Sequence, residues 1–401
     1  METSRVGKTL TAQHGVVASY PDQFLGYFGW PTVARMEDGT LVVAASGLRN
    51  YHVCPFGRTI ICMSNDDGQT WTPPRVINDT PLDDRDASIG SLGGNKLVLS
   101  WFSTDHRNAK PSDYQLQLSP RESKWWEDAL AGVTDESASR FVGSWIRISN
   151  DAGLTWLEPV RVFVRAPHGP SKLRTGDLLY LGKQVREPAT TGESVAKYAT
   201  DGEFPPARMI EGEIGAIGSS DGGYTWNQRG VVPLTEAGED VAAFNEPHAI
   251  QLRTGRIIGL IRNDPNRHDY HNRQPGQTDF TMYQSISDDD GYTWSPAEPL
   301  GFHGAPPHLL EHSTGTVVCV YSHRMDPFGV RVMISYDQGE TWDYDYVLRD
   351  DGPHPDLGYP SSVELNDGSI LTVYYQRPNS VDDKCALLWS RWRLPEQLVI
   401  P

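Results

Sequence analysis

Carboxylates crowd into stretches reading S-x-D-x-G-x-T-W, and the densest, Ser287-Asp288-Asp289-Asp290-Gly291-Tyr292-Thr293-Trp294, holds three in eight residues. Such a cluster could bind calcium or act as an acid. The twelve-residue ligand spacing and terminal Glu of an EF-hand loop are missing, however, and the stretch recurs at residues 64–71, 149–156, 219–226 and 335–342. Repetition of this kind signals architecture. Asp and Gly supply the side-chain hydrogen bonds and positive φ of a tight turn, and the Trp can pack back on the preceding strand. The boxes are therefore expected to be structural. Chemistry is better sought in Asp83-Asp84-Arg85-Asp86, in Asn245-Glu246-Pro247-His248 followed by Arg262, in Gly358-Tyr359-Pro360, and in His52, His168, His308, Arg324 and Arg331. A Tyr, a Glu, several His and several Arg collected at one mouth would suit an anionic ligand, since Arg offers a planar fork of donors to a carboxylate.

Something must bring these scattered residues together. Each box follows a short apolar strand, such as residues 58–63 or 331–334, and so sits in a hairpin turn. A second set of turns, at Gly39, Gly93-Gly94, Gly176, Gly255, Gly315 and Gly368, interleaves with the boxes. Together they predict an all-β chain of six four-stranded units, the sixth completed by residues 385–389, closing radially as a six-bladed β-propeller. Residues 10–19 are expected to supply an edge strand that closes the ring with the last blade. Residues 1–401 then form one domain, with a long loop insertion at about 103–142 that carries a short helix over the rim.

Strands alternate in direction, so glycine turns and boxes share one face. The opposite face receives the long loops, at 47–57, 103–142, 184–209, 263–280, 322–329 and 376–384, where binding usually lies. Counting back about eight residues from each glycine turn brings Pro31, Asp86, His168, Glu246 with His248, His308 and Tyr359 to that face, and strand ends add His52, Arg85, Arg262, Arg324 and Arg331. A single His there would be an ordinary hydrogen-bonded channel residue. As a set with the arginines, they favour an anionic ligand.

The formal net charge of −17 excludes a phosphate backbone or an anionic bilayer as the natural partner, and no Lys/Arg-rich run offsets it. No stretch approaches the ~20 apolar residues of a membrane span, and the first residues have no apolar signal core. A cytoplasmic location is expected, with secretion as the alternative if a signal has been removed. Cys54, Cys62, Cys319 and Cys385 lack the paired spacing of a zinc site and read as reduced core thiols.

Five such boxes within six blades resemble the bacterial sialidase (neuraminidase) family, and the resemblance covers nearly the whole chain. Asn245-Glu246-Pro247-His248-Ala249-Ile250-Gln251-Leu252, continuing to Arg262, resembles the segment whose Glu assists the nucleophile and whose Arg grips the sugar carboxylate. Gly358-Tyr359-Pro360-Ser361-Ser362-Val363-Glu364-Leu365 resembles the segment with the nucleophilic Tyr. Arg331 is similar in place to a further carboxylate-binding Arg, with Arg324 as its competitor. The resemblance implies a retaining exo-glycoside hydrolase, exo-α-sialidase-like, with Tyr359 as nucleophile and Glu246 as its base. A Tyr suits a sugar whose anomeric carbon bears a carboxylate, because a carboxylate nucleophile would be repelled.

Two departures qualify that resemblance. Where the family has an F-R-I-P motif, this chain reads Phe28-Gly29-Trp30-Pro31, so the first Arg is absent. The first loop, 47–57, holds no Asp in the place of the family's acid/base and has His52 instead. Asp84 or Asp86 could supply a replacement acid and Arg85 a replacement Arg, with a salt-bridged turn as the other reading of that cluster. Trp30, His168, His248 and His308 complete the expected substrate contacts. The substrate would be a carboxylated sugar at a non-reducing end, such as a sialic acid, another nonulosonic acid or a uronic acid. Two alternatives stay open: a propeller-fold polysaccharide lyase acting on uronate- or rhamnose-containing glycans by His/Tyr catalysis, and a non-catalytic carbohydrate-binding propeller. No cofactor is expected, although His168, His248 and His308 enter at similar depth and leave a metal site open. The expected partner is a glycan; the oligomeric state is left open.

Overall fold

Short strands separated by glycine and Asp-box turns leave no length for long helices, and the chain folds into six sheets, each of four main strands. The computed structural model describes residues 8–108, 118–185, 212–234, 241–265 and 280–396. In chain order, the innermost strands of the blades are Tyr27–Arg35, Asp83–Gly93, Ser171–Lys172, Phe244–Gln251, Pro307–Glu311 and Gly358–Glu364. Each is followed outward by antiparallel partners, as in blade four, where Ile257–Asn263, Thr281–Ser287 and Glu298–Pro299 follow. The architecture is the expected six-bladed β-propeller.

The hydrophobic core is divided among the seams between blades. Val43 and Ile60 of the first blade pack with Leu371 and Tyr375 of the sixth, and Leu181 of the third with Ile257 and Ile261 of the fourth. The remaining four seams have clusters of their own. Apolar side chains thus serve the seams, and the axis is left to polar ones.

The five boxes are turn staples with one shared geometry. In the fourth blade Ser287 Oγ donates to Asp289 Oδ1 at 2.9 Å, Thr293 Oγ1 donates to Asp289 Oδ2 at 2.7 Å, and the Gly291 amide donates to Ser287 Oγ at 3.0 Å. The same bonds recur at Asp66, Asp151, Asp221 and Asp337. Gly291 has φ +88°, and a Cβ there would stand 2.7 Å from Leu179 of the preceding blade. The box tip therefore also packs across a seam.

Closure involves two blades rather than one. Ala12–Ala18 pairs antiparallel with Ala386–Trp392 as the outer strand of the sixth blade, as expected, while Lys8–Thr9 runs parallel to Asp343–Gly352 of the fifth. The insertion at 103–142 contains two helices, α1 (Pro120–Ala131) and α2 (Asp135–Phe141), each opened by a capping box. Trp126 of α1 is buried, and Trp125 packs against Phe24 with ring centroids 4.4 Å apart. The loops expected at 184–209 and 263–280 lie largely outside the described residues. All four cysteines are free and buried, in keeping with core thiols.

Trp294 is buried and donates Nε1–H to Gly291 O at 3.0 Å. Trp294→Ala should lower unfolding free energy by about 3 kcal/mol, read as a lower urea midpoint, while turnover measured well below the transition stays unchanged because the box lies on the face away from the cavity.

Candidate functional site

One backbone device builds the mouth of the propeller. In blades one, two, four and six the innermost strand carries the same two-residue bulge. Pairing jumps from Gly29↔Ser46 to Thr32↔Ala44, from Arg85↔Phe102 to Ser88↔Ser100, from Asn245↔Arg262 to His248↔Leu260, and from Gly358↔Tyr375 to Ser361↔Val373. The first bulged residue is Trp30, Asp86, Glu246 or Tyr359, and each is left-handed, with φ of 52°, 49°, 47° and 46°. A non-glycine residue adopts that conformation at a cost of roughly 1 kcal/mol or more. All four side chains line one cavity of about 300 Å³ on the face opposite the boxes.

The centre of the site is a three-residue contact. Tyr359 Oη donates to Glu246 Oε1 at 2.7 Å, and Arg262 Nη1 donates to Glu246 Oε2 at 2.5 Å and to Tyr359 Oη at 3.2 Å. Arg262 is held from behind by Asp264, 2.8 Å from Nη2, and lies 4.7 Å over the Phe280 ring. Burial, with the Glu246 carboxylate beside it, raises the Tyr359 hydroxyl well above the usual phenol range despite Arg262. The phenol is thus protonated at rest, and its proton already points at a base. Gly358, at φ +113°, lets the chain pass Ser322, whose Oγ accepts from the Tyr359 amide at 3.0 Å; a Cβ there would overlap that oxygen.

Five basic side chains, Arg85, Arg165, Lys183, Arg262 and Arg324, line the cavity against the carboxyls of Asp86 and Glu246. Arg324 donates to Leu357 O and lies 5.6 Å over the Tyr359 ring, while Arg85 lies 4.3 Å over Trp30. Burial pushes the Asp86 carboxyl up to about 7 against the pull of Arg85, and its Oδ1 is buried without a hydrogen bond in the structure. His52 lines the same cavity, with Nδ1 2.8 Å from Asp356 Oδ1.

Several expected contacts are not in the cavity. Arg331 stands on the third strand of blade five, buried, donating to Arg349 O at 2.8 Å; the strand turns it outward, and Arg324 occupies the mouth instead. Asp84 is turned away from Arg85 by strand alternation, and it accepts from Ser103 Oγ at 2.5 Å and from Thr80. The Asp83–Asp86 cluster thus divides: Asp83, paired with Arg49 at 2.5 Å, and Asp84 form the buried polar turn, while Arg85 and Asp86 face the cavity. His168, His248 and His308 are buried and lie outside the lining of the cavity; they gather from blades three, four and five at the axis. The His248 and His308 rings stack with centroids 4.5 Å apart, and His168 stands edge-on to His308 at 5.0 Å. His248 Nδ1 accepts from the Leu309 amide at 2.9 Å, and burial lowers that imidazole to about 3. Among the described residues, no three His, Cys, Asp or Glu are arranged as a metal site.

The sequence patterns above passed over Arg165, Lys183 and Asp356. A signal for Arg165 existed. Arg165-Ala166-Pro167-His168 has the same X-Pro-His ending as Asn245-Glu246-Pro247-His248, and Arg85 holds the step before the bulge in blade two. The Arg absent at Gly29 is therefore present at the equivalent step of blades two and three. Asp356, in an ordinary loop, had no such signal.

The model of a family described as "BNR repeat-like domain" matches residues 131–372. A sialidase of Paraclostridium sordellii is 24% identical over 181 residues, 40% of this chain, and the chain spans 43% of that relative's length. Among solved structures, a protein of unknown function from Dyadobacter fermentans aligns with a TM-score of 0.69 at 19% identity, over 98% of this chain and all (100%) of that one. The intramolecular trans-sialidase from Ruminococcus gnavus aligns with a TM-score of 0.59 at 15% identity, over 96% and 98% of the two chains. Trypanosoma rangeli sialidase in complex with sialic acid does so at 0.58 and 14%, over 96% and 59%. At these identities the structural likeness establishes the fold.

The state of Asp86 has a thermodynamic consequence. Its folded value of about 7 lies above the unfolded value near 3.8, so the folded state holds the extra proton between them, and stability falls as pH rises through that window. Asp86→Asn should flatten this part of the profile, seen as a smaller drop in Tm between pH 5 and 7 than in the unsubstituted protein.

Proposed function

The chain belongs to the BNR repeat-like domain family, and on that footing we propose that it is a sialidase-superfamily glycosidase that removes a carboxylated sugar from a non-reducing end with retention of configuration. One observation carries the proposal: Tyr359, Glu246 and Arg262 form a hydrogen-bonded cluster in the floor of a cationic cavity. Relatives named as sialidases share the fold, and one of them holds sialic acid.

The geometry fits that chemistry step by step. A carboxylate on the anomeric carbon repels an anionic nucleophile, whereas a protonated Tyr359 approaches as a neutral phenol. As its oxygen attacks, its proton passes 2.7 Å to Glu246 Oε1, and Arg262 stabilises the charge on both partners. Arg324, Arg85 and Arg165 present guanidinium groups to the substrate carboxylate. A cavity of about 300 Å³ is at the low end for ligand sites and admits a terminal sugar rather than a chain interior. Asp86, which burial keeps protonated below about pH 7, can donate a hydrogen bond to a sugar hydroxyl there.

Incubation with aryl sialosides, other aryl glycosides and uronate-containing oligosaccharides tests the proposal. Release of aglycone with retained anomeric configuration by proton NMR is expected. Tyr359→Phe and Glu246→Gln should each reduce that release by about 10²–10⁴-fold while leaving the circular dichroism melt in place. An unsaturated product absorbing in the ultraviolet would mark a lyase, and binding without turnover a lectin; either would overturn the proposal.

A further inference from the structure

A glycosidase of the kind proposed above needs a group that protonates the leaving oxygen and later takes a proton from water, and this inference rests on that proposal. We propose that His52 and Asp356 form the acid/base dyad of this site, with His52 as the catalytic residue that exchanges the proton and Asp356 as the positioning residue behind it.

The geometry of the pair supports it. Asp356 is an acceptor at the centre of a donor cluster: His52 Nδ1 at 2.8 Å, Tyr27 Oη at 3.0 and 3.1 Å, and Tyr375 Oη at 3.1 Å. Burial would raise this carboxyl, but His52, Arg377 and Arg324 outweigh it and hold Asp356 well below the usual carboxylate range. A carboxylate can only accept, so Nδ1 carries the hydrogen and Nε2 is the nitrogen turned to the cavity that His52 lines. The ring is fixed a second time, edge-on against Trp30 with centroids 4.9 Å apart, and Trp30 stands edge-on to Tyr359 at 6.4 Å. The dyad and the nucleophile therefore flank one indole at the mouth.

Atoms and charges balance across the two steps. In the first, the Tyr359 Oη–carbon bond forms as the carbon–oxygen bond to the aglycone breaks. The electron pair goes to the leaving oxygen, which takes the Nε2 proton of the imidazolium, while the phenol proton moves to Glu246. In the second, water attacks the same carbon, the Tyr359 bond breaks, Nε2 takes the proton from water, and Glu246 returns its proton to Tyr359. Burial lowers the His52 imidazole, Asp356 opposes this, and Arg85 and Arg324 add to the lowering. His354, Tyr27, Tyr375, Cys385 and Arg377 complete the titratable and charged groups around the pair. The acid form is thus lost as pH rises through a value below the ordinary 6.5.

Two substrates with one sugar test this, one with an alkyl or sugar leaving group and one with a nitrophenol that needs no protonation. His52→Gln should lose about 10²-fold or more on the first and less than about 10-fold on the second. Azide should speed the second step in this variant and give a glycosyl azide of retained configuration. The alkaline limb of kcat/KM, expected below pH 6.5, should vanish in His52→Gln and move to lower pH in Asp356→Asn, which loses the anion that favours imidazolium. Equal losses on both substrates, an unmoved limb, or a leaving-group-selective loss in Asp86→Asn would overturn the dyad while leaving the glycosidase standing. No turnover of any panel member by the unsubstituted protein would overturn the glycosidase and the dyad with it. Independently of turnover, nitrogen-15 NMR of the resting protein should show His52 protonated at Nδ1 and lose that state in Asp356→Asn; protonation at Nε2 alone would overturn the dyad.

Discussion

The left-handed residue at the start of the innermost strand is the constraint on which the mouth of the propeller depends. An ordinary strand there would send its side chains alternately into the axis and into the sheet. The two-residue bulge instead turns Trp30, Asp86, Glu246 and Tyr359 upward into one cavity, and puts Thr32, Ser88, His248 and Ser361 below it at the next inward step. The strain is carried by a scaffold whose six seams each have their own apolar core. Because no seam depends on the axis for its packing, the axis can hold hydrogen-bonded histidines and the mouth can hold charges.

Electrostatics completes what geometry begins. A chain with a formal charge of −17 concentrates five basic side chains around its cavity, so the local field there opposes that of the whole molecule and favours entry of an anion. Within that field the acids are set apart by their partners. Asp356 is held ionised by His52 and nearby arginines, Asp86 is driven toward neutrality by burial, and Glu246 shares the Tyr359 proton and the Arg262 guanidinium. Separate roles for three carboxyls follow from separate surroundings.

The relation to sialidases is one of shared frame and shifted detail. The Tyr359–Glu246–Arg262 cluster stands where the resemblance put it. The arginine missing at Gly29 is matched by Arg85 and Arg165 at the same step of the next two blades, so guanidinium groups line the cavity from those blades instead. His52, backed by Asp356, lines the same cavity.

The sequence by itself determined the propeller, the number of blades and the face of the site, because boxes and glycine turns are local signals whose period survives without a tertiary structure. It also pointed to Tyr359, Glu246 and Arg262, which sit in contiguous motifs at strand starts and ends and which the fold brings into contact. It did not separate Arg324 from Arg331, or Asp86 from Asp84, because neighbours on a strand differ only in which way they face, and bulges shift that alternation. Nor did it join His52 to Asp356, 304 residues away. Ring closure alone brings the first blade against the last, and a contact made across that seam leaves no local pattern in the chain.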